Sequence, residues 1–224
     1  MMTRFGLFSK LCIAVVAMGV VLSLGTVGHV DAAKKTVPSF FNSKEIQSKN
    51  LKPFKKWTDA LKRYSKEKSS LKSGNCAGGE FNACHYKKWI KFLKKIRKKS
   101  KLSQIKLVNA FMNKVKYTRD QRNWGKKDYW ATPGQFMAKF GDCEDYAIAK
   151  FVSLRLLGFK NSALRVVAVK DLNLKVGHAV LVVVVKGRAL LLDNQIKQVV
   201  DTKSVKHYRP VFSINAKYWW KHRT

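Results

Sequence analysis

The sequence predicts an α+β fold in which helices come first and an antiparallel sheet follows. Apolar residues recur at helical spacing between residues 53 and 157. Segments rich in Val and Leu, typical of strands, begin at residue 164. Between two of these segments stands the dipeptide Lys186-Gly187, which predicts a tight two-residue hairpin.

The first 32 residues have the layout of a secretory signal peptide. Arg4 and Lys10 give a basic start, residues 11–24 form an apolar run, and small residues follow up to Ala32. The run is short for a membrane-spanning helix, so we expect cleavage and export rather than an uncleaved anchor. The sequence therefore predicts a periplasmic protein.

The composition describes the surface. The 224 residues include 46 Lys and Arg against 13 Asp and Glu, a net charge of +33 at pH 7. We expect such a surface to bind anionic envelope polymers nonspecifically, and we expect no specific nucleic-acid partner. A hydrophobic content of 46% fills a core, which excludes general disorder.

Five helices are predicted before the sheet. They cover residues 53–66, 85–97, 102–116, 132–140 and 143–157. The polar segment 33–52 is expected to be an arm, and segment 119–131 a loop. The last helix, capped by Asp142 and stopped by Gly158, is apolar almost all round. We therefore expect it to be buried at the centre of the fold.

The predicted strands cover residues 164–169, 178–185, 188–192, 198–200 and 208–214. With Lys186-Gly187 as the turn, Val185 pairs with Arg188. This register puts His178 and Asp193 on one face as diagonal neighbours, within reach of a hydrogen bond. A slip of one residue would put them on opposite faces.

The cysteines point to one nucleophile. Cys12 leaves with the signal peptide, and Cys76 and Cys84 lie close enough in sequence to pair as a disulfide in an oxidising compartment. Cys143 then stays unpaired. It lies in the first turn of the buried helix, where free N–H groups and the helix dipole favour a thiolate.

A thiolate nucleophile needs a base, and His178 is the candidate. Asp193 can orient its imidazole, and His178 can take the thiol proton and later protonate the leaving group. The sequence thus predicts a triad of Cys143, His178 and Asp193. The other histidines of the mature chain lie in polar segments and are expected to be exposed or locally bonded: His85, His207 and His222.

Three acidic residues crowd the nucleophile: Asp142, Glu144 and Asp145. Carboxylates suit a helix N-terminus, but they raise the pKa of a neighbouring thiol. Helix capping accounts for them, and so does a bound cation that neutralises them. Calcium takes oxygen ligands and suits an extracytoplasmic protein. The spacing alone leaves both interpretations open.

Five motifs surround these residues: DQRNWG at 120–125, DYWATPGQF at 128–136, GDCEDYA at 141–147, GHAV at 177–180 and LDN at 192–194. They resemble the motifs of the bacterial transglutaminase-like cysteine peptidases, whose best-known branch is the LapG-type periplasmic proteases. The resemblance extends over about residues 85–220. It implies a papain/transglutaminase-like α+β fold, with the nucleophile on a central buried helix packed against a C-terminal antiparallel sheet.

The resemblance also implies roles for single residues. It implies Cys143 as nucleophile, His178 as base and Asp193 as the residue that orients it. It implies calcium beside the nucleophile, held by Asp142 and Glu144, with Asp145 as a further ligand. Resemblance to the LapG-type members implies that the protein cleaves a surface adhesin and that an inner-membrane receptor sequesters it. Trp130 is a candidate for lining the substrate site.

Three functions remain as hypotheses. The first is an exported cysteine endopeptidase that cleaves an envelope or surface protein, such as an adhesin, through a thioester. The second is transglutaminase-type acyl transfer to an amine, and the third is a basic envelope-binding protein without enzymatic activity. The expected organisation is a signal peptide at 1–32, an arm with a helix and a disulfide loop at 33–84, and the peptidase domain at 85–224.

Overall fold

The computed structural model describes residues 40–70, residue 76 and residues 82–223, and all structural statements below concern these residues. The predicted signal peptide at 1–32, the start of the arm at 33–39 and most of the predicted disulfide loop lie outside them. No helix in the described part of the chain is long and apolar enough to cross a membrane.

The described residues form helices followed by strands, with one strand ahead of them. The strands are β1 (Lys44–Ser48), β2 (Leu164–Asp171), β3 (Gly177–Val185), β4 (Arg188–Leu192), β5 (Val200–Asp201), β6 (Tyr208–Ile214) and β7 (Trp219–Arg223). The helices are α1 (Lys55–Ser70), α2 (Ala83–Ile96), α3 (Lys101–Met112), α4 (Asp120–Trp124), α5 (Pro133–Lys139) and α6 (Cys143–Leu156).

All seven strands join one sheet in the order β1-β7-β6-β2-β3-β4-β5, and every neighbouring pair is antiparallel. The α+β prediction is therefore confirmed. The hairpin register is confirmed as well, because Val185 pairs with Arg188 and Leu181 with Leu192. Lys186 and Gly187 both adopt positive φ, as a tight hairpin turn requires.

Helix α6 lies at the centre of the fold, as predicted. It packs against β3 and β2 of the sheet and against α3 and α5. Ile148 and Leu154 on α6 join Leu181 and Val183 of β3 in the main apolar core. Gly158 ends the helix with φ +86, a value that favours glycine. The helix thus carries its first residue, Cys143, to a fixed point above the sheet.

The helix that begins at Thr132-Pro133 is confirmed in detail. Thr132 caps α5, its hydroxyl accepting a hydrogen bond from the backbone N–H of Gln135, and the Gln135 side chain accepts one from the backbone N–H of Thr132. This reciprocal pair is a capping box. It fixes the direction in which the chain enters α5 after the segment that carries Trp130.

Two expectations about secondary structure were wrong. Segment 119–131 contains α4 rather than loop alone, and this helix has only five residues, too few to show periodicity. The outer strands β1 and β7 were not predicted. The two strands pair although they lie about 170 residues apart in sequence. Strand β1 is mostly exposed at the edge of the sheet, so its polar sequence shows no apolar pattern.

His222 was expected to be exposed or locally bonded, but it is buried, and one of its hydrogen-bond partners is the distant Ser43. In β7 the buried residues Trp220 and His222 alternate with the exposed residues Lys221 and Arg223. This two-residue period is the normal pattern of a half-buried strand. The short strand expected at 198–200 is observed as β5 at Val200–Asp201, so it begins two residues later than expected.

Candidate active site

Cys143 is the first residue of α6 and carries a free thiol. The thiol donates a hydrogen bond of 3.2 Å to the Glu144 carboxylate. Burial raises the pKa of the Cys143 thiol, and the Glu144 and Asp142 carboxylates raise it further, whereas the backbone of Ala179 acts in the opposite direction. Burial first, and then the acidic neighbours, therefore oppose the thiolate that the helix N-terminus favours.

His178 and Asp193 form a buried hydrogen-bonded pair. His178 Nε2 lies 2.9 Å from Asp193 Oδ1, and both side chains are excluded from solvent. Asp193 also accepts bonds from the Gln195 backbone at 2.9 Å and from the Tyr208 hydroxyl at 2.7 Å. Burial opposes ionisation of Asp193, yet these bonds and the charge of His178 hold the pKa of this carboxyl below its usual value.

The thiol and the imidazole lie at the same end of the sheet without a direct bond. Ala179, whose backbone contacts the Cys143 thiol, directly follows His178. No hydrogen bond joins the thiol to the ring among the residues that the structure describes; the free ring nitrogen, Nδ1, faces Gln195 Nε2 at 3.4 Å. Catalytic hydrogen bonds are often formed only when substrate is bound. The His178–Asp193 pair thus lies at the same end of the sheet as the Cys143 thiol, which is bonded to Glu144.

The acidic cluster is larger than the sequence predicted. Asp142, Cys143 and Glu144 place one ligand atom each within 4.8 Å of one another. Asp120 joins Asp142 and Asp145 in a second group of this kind. A third group consists of Asp120, Asp128 and Glu144. Asp120 and Asp128 fall in motifs that the sequence analysis quoted, but only the fold brings them to the nucleophile.

The cluster has the properties of a cation site. One oxygen each of Asp120 and Asp142 is buried without a hydrogen-bond partner. Burial and the neighbouring carboxylates raise the pKa of Asp120 to about 6 and that of Asp142 to about 8. Buried like charges with spare oxygens are costly unless a cation neutralises them. The oxygen-only donor set fits a hard cation such as calcium.

Backbone groups fix the third predicted ligand, Asp145. Its Oδ1 accepts a 2.7 Å bond from the Ala131 backbone, and its Oδ2 accepts a 3.2 Å bond from the Asp142 backbone. Gly141 makes this arrangement possible, because a Cβ at that position would lie 2.3 Å from Asp145 Oδ2. The glycine of the motif is therefore required by a carboxylate that packs against its backbone.

Three further residues were predicted: the two cysteines of the disulfide and Trp130. Cys76 and Cys84 form the predicted disulfide. Trp130 is half-buried and meets Trp57 of α1 edge-on, with ring centroids 6.4 Å apart. Its contacts are those of a packing residue, and its role in lining a substrate site stays a prediction.

Comparisons with known proteins agree with this geometry. Residues 75–221 match the family described as bacterial transglutaminase-like cysteine proteinase. A solved structure of Legionella pneumophila LapG in a calcium-bound form is 27% identical, with a TM-score of 0.59, over 70% of this chain and 87% of that chain. The EGTA-treated form of the same protein, also 27% identical, gives a TM-score of 0.61 over 72% and 86%. The comparison with curated proteins found no match.

Proposed function

Because the chain belongs to the family of bacterial transglutaminase-like cysteine proteinases, we propose that it is an exported endopeptidase that hydrolyses a peptide bond of an envelope or surface protein. The observation that carries this proposal is the buried His178–Asp193 pair at the end of the sheet where α6 presents Cys143. Those three residue types are the ones that acyl transfer through a thioester needs.

The proposed reaction has two halves. His178 accepts the thiol proton, the Cys143 sulfur bonds to the peptide carbonyl carbon, and the carbon–nitrogen bond breaks as His178 protonates the departing amine. Water then gives a proton to His178 and its oxygen displaces the sulfur, which leaves a carboxylic acid and the free thiol. The Cys143 backbone N–H, at the helix N-terminus, is the donor we assign to the oxyanion.

We assign calcium to the acidic cluster, with Asp142 and Glu144 as its principal ligands and Asp120 and Asp145 beside them. The buried oxygens without partners support this assignment, as does the calcium-bound form of the Legionella LapG. When bound, the cation neutralises the carboxylates that keep the thiol protonated. The chain's own contribution is to hold these oxygens together through Gly141 and the Ala131 backbone.

The remaining expectations concern location and partners. The predicted signal peptide and the Cys76–Cys84 disulfide support a periplasmic location, since disulfides persist in oxidising compartments. The likeness to LapG makes an adhesin-like substrate the leading candidate, with an inner-membrane receptor as a candidate regulator. The net charge of +33 supports additional nonspecific attachment to anionic envelope polymers.

Mapping protein termini in cell envelopes tests the function. Cells with the wild-type protein are compared with cells carrying Cys143→Ala, and we expect new termini on one or a few envelope proteins only in the wild type. A Cys76→Ser/Cys84→Ser double variant is the matched control, because it replaces two cysteines and keeps the nucleophile. Isopeptide crosslinks in place of new termini would identify the protein as a transglutaminase. The absence of both would favour a binding protein without activity.

Thermal unfolding with and without calcium tests the metal site. We expect calcium to raise the unfolding temperature of the wild type and of Asp201→Asn, an acid of β5 outside the cluster, but not of Asp142→Asn. A ligand at about 100 times its dissociation constant stabilises a fold by about 2.7 kcal/mol. If the wild type unfolds at the same temperature in calcium and in EGTA, the assignment of calcium to the acidic cluster is wrong.

A further inference from the structure

Helix α1 is hydrogen-bonded to segment 129–135, whose backbone N–H groups donate to the acidic cluster. Arg63 Nη1 donates to the Gln135 side chain at 2.5 Å, and Nη2 donates to the Trp130 carbonyl at 2.6 Å. Its guanidinium also lies over the Tyr129 ring, 4.8 Å from the centroid. One arginine thus holds both ends of segment 129–135. Because α1 precedes residues 75–221, the family motifs do not include this arginine.

A single peptide group connects Arg63 to the cluster. The Trp130 carbonyl that accepts from Arg63 and the Ala131 N–H that donates to Asp145 at 2.7 Å belong to the same planar amide. A charged donor on the carbonyl polarises the amide and strengthens the bond that its N–H makes on the other side. The positive charge of Arg63 therefore acts on the Asp145 carboxylate without touching it.

Within the described residues, no cationic side chain forms an ion pair with Asp145. Its side chain is completely buried, and none of the ion pairs within the described residues includes it. Its oxygens are held by two backbone N–H groups, and Gly141 leaves no room for another position. We propose that Arg63 is a positioning residue that aims Asp145 at the cation through the Trp130–Ala131 peptide. The inference rests on the calcium site proposed above.

Glu67, one turn further along α1, also bonds to segment 129–135, but not to the peptide group that contacts Asp145. Its carboxylate accepts hydrogen bonds from the Thr132 hydroxyl and from the Gly134 backbone, the latter at 3.2 Å. A Cβ at position 134 would lie 2.7 Å from this carboxylate, so Gly134 is required there. Glu67 anchors the segment but bonds to no amide that reaches Asp145. It therefore distinguishes anchoring from positioning.

Calorimetric titration of the purified full chain with calcium tests the role of Arg63. Arg63→Gln keeps a donor but removes the charge, and we expect it to bind calcium about tenfold more weakly, the usual effect of losing an outer-shell partner. Arg63→Lys keeps the charge and should recover most of the affinity. Lys62→Gln, an exposed neighbour on α1, should bind like the wild type, and Glu67→Gln should lower thermal stability with little change in affinity.

The outcomes separate this inference from the proposed function. Wild-type affinity in Arg63→Gln, or equal weakening in Arg63→Gln and Glu67→Gln, overturns the positioning role and leaves the calcium site intact. No calcium binding by the wild type overturns both the metal assignment and this inference, while the peptidase proposal is judged by termini mapping alone. Should Arg63→Gln fail to fold, Asp59→Asn decides, because it removes the carboxylate that pairs with Arg63 Nε at 2.7 Å: tighter calcium binding supports a role carried by the Arg63 charge, and unchanged affinity contradicts it.

Discussion

Two histidines of the described residues, His178 and His222, are buried, and the groups near their ring nitrogens differ. His222 lies between two hydroxyls, Ser43 at 2.6 Å from Nδ1 and Ser213 at 2.9 Å from Nε2. His178 has a carboxylate, Asp193, at 2.9 Å on one nitrogen and only the amide of Gln195 at 3.4 Å on the other. The second arrangement leaves a nitrogen for a substrate-dependent bond, and the first does not.

The charged groups near the two rings also differ. Burial, together with the neighbouring Arg165 guanidinium, lowers the pKa of His222 to about 4. Arg165 is itself held by the Glu45 carboxylate at 2.6 Å and lies over the Trp220 ring, 3.6 Å from the centroid. His222 of β7 is therefore a neutral side chain that links Ser43, the residue before β1, to Ser213 of β6. This contrast predicts a structural role for His222 and a catalytic role for His178.

Replacing His178 should have the largest effect of the changes that separate the two histidines. We expect His178→Ala to reduce kcat/KM by about 10³-fold, because the general base and the acid for the leaving group are lost together. The rate is measured on the substrate that termini mapping identifies. His85→Ala, an exposed histidine on α2, should leave the rate unchanged. Activity of His178→Ala within tenfold of the wild type would remove His178 from the mechanism.

At the other histidine the largest effect should be on stability. Arg165→Met leaves the Glu45 carboxylate without its partner, and breaking a buried pair in this way costs about 3 kcal/mol. Urea unfolding measures the loss, and the kcat/KM of the folded protein should not change. Arg188→Met is the matched control, because the Arg188–Asp201 pair is largely exposed and contributes about 1 kcal/mol at most. Equal losses in both variants would contradict the view that His222 lies in a structural cluster.

The sequence predicted the His178 region well and the His222 region poorly, for one physical reason. The hairpin register follows from a two-residue turn, so the position of Asp193 beside His178 is decided by local geometry. His222 owes its burial to β1, whose partner strand β7 lies at the opposite end of the chain. No local pattern announces such a long-range pairing, and the charged neighbours Lys221 and Arg223 obscured the alternation.

The same reason explains what was predicted of the candidate site. Asp142, Glu144 and Asp145 are within two residues of Cys143, so the sequence alone placed them at the nucleophile. Asp120 reaches the cluster because the chain just before α4 pairs with Gly141, two residues before α6 begins, and we propose that Arg63 acts from α1 through a peptide group. Residues that come from separate elements become visible only when the elements have been assembled.

The smallest expected effect is a pH dependence confined to His222. Since the folded pKa is about 4 and the ordinary value is 6.5, the unfolded chain binds more protons than the fold between these limits. Its contribution to the free energy of unfolding is therefore present above pH 6.5 and declines as the pH falls toward 4. The groups that face the ring are Arg165, Glu45 and the two serine hydroxyls, and the positive guanidinium sets the sign.

Urea unfolding of the wild type and His222→Gln at several pH values isolates this term. The difference in unfolding free energy between the two proteins should shrink as the pH falls from 6.5 to 4 and stay constant above 6.5. His85→Gln, which changes an exposed histidine, should follow the wild type at every pH. A difference that grows on acidification would mean that His222 is charged in the fold and bonded to Glu45.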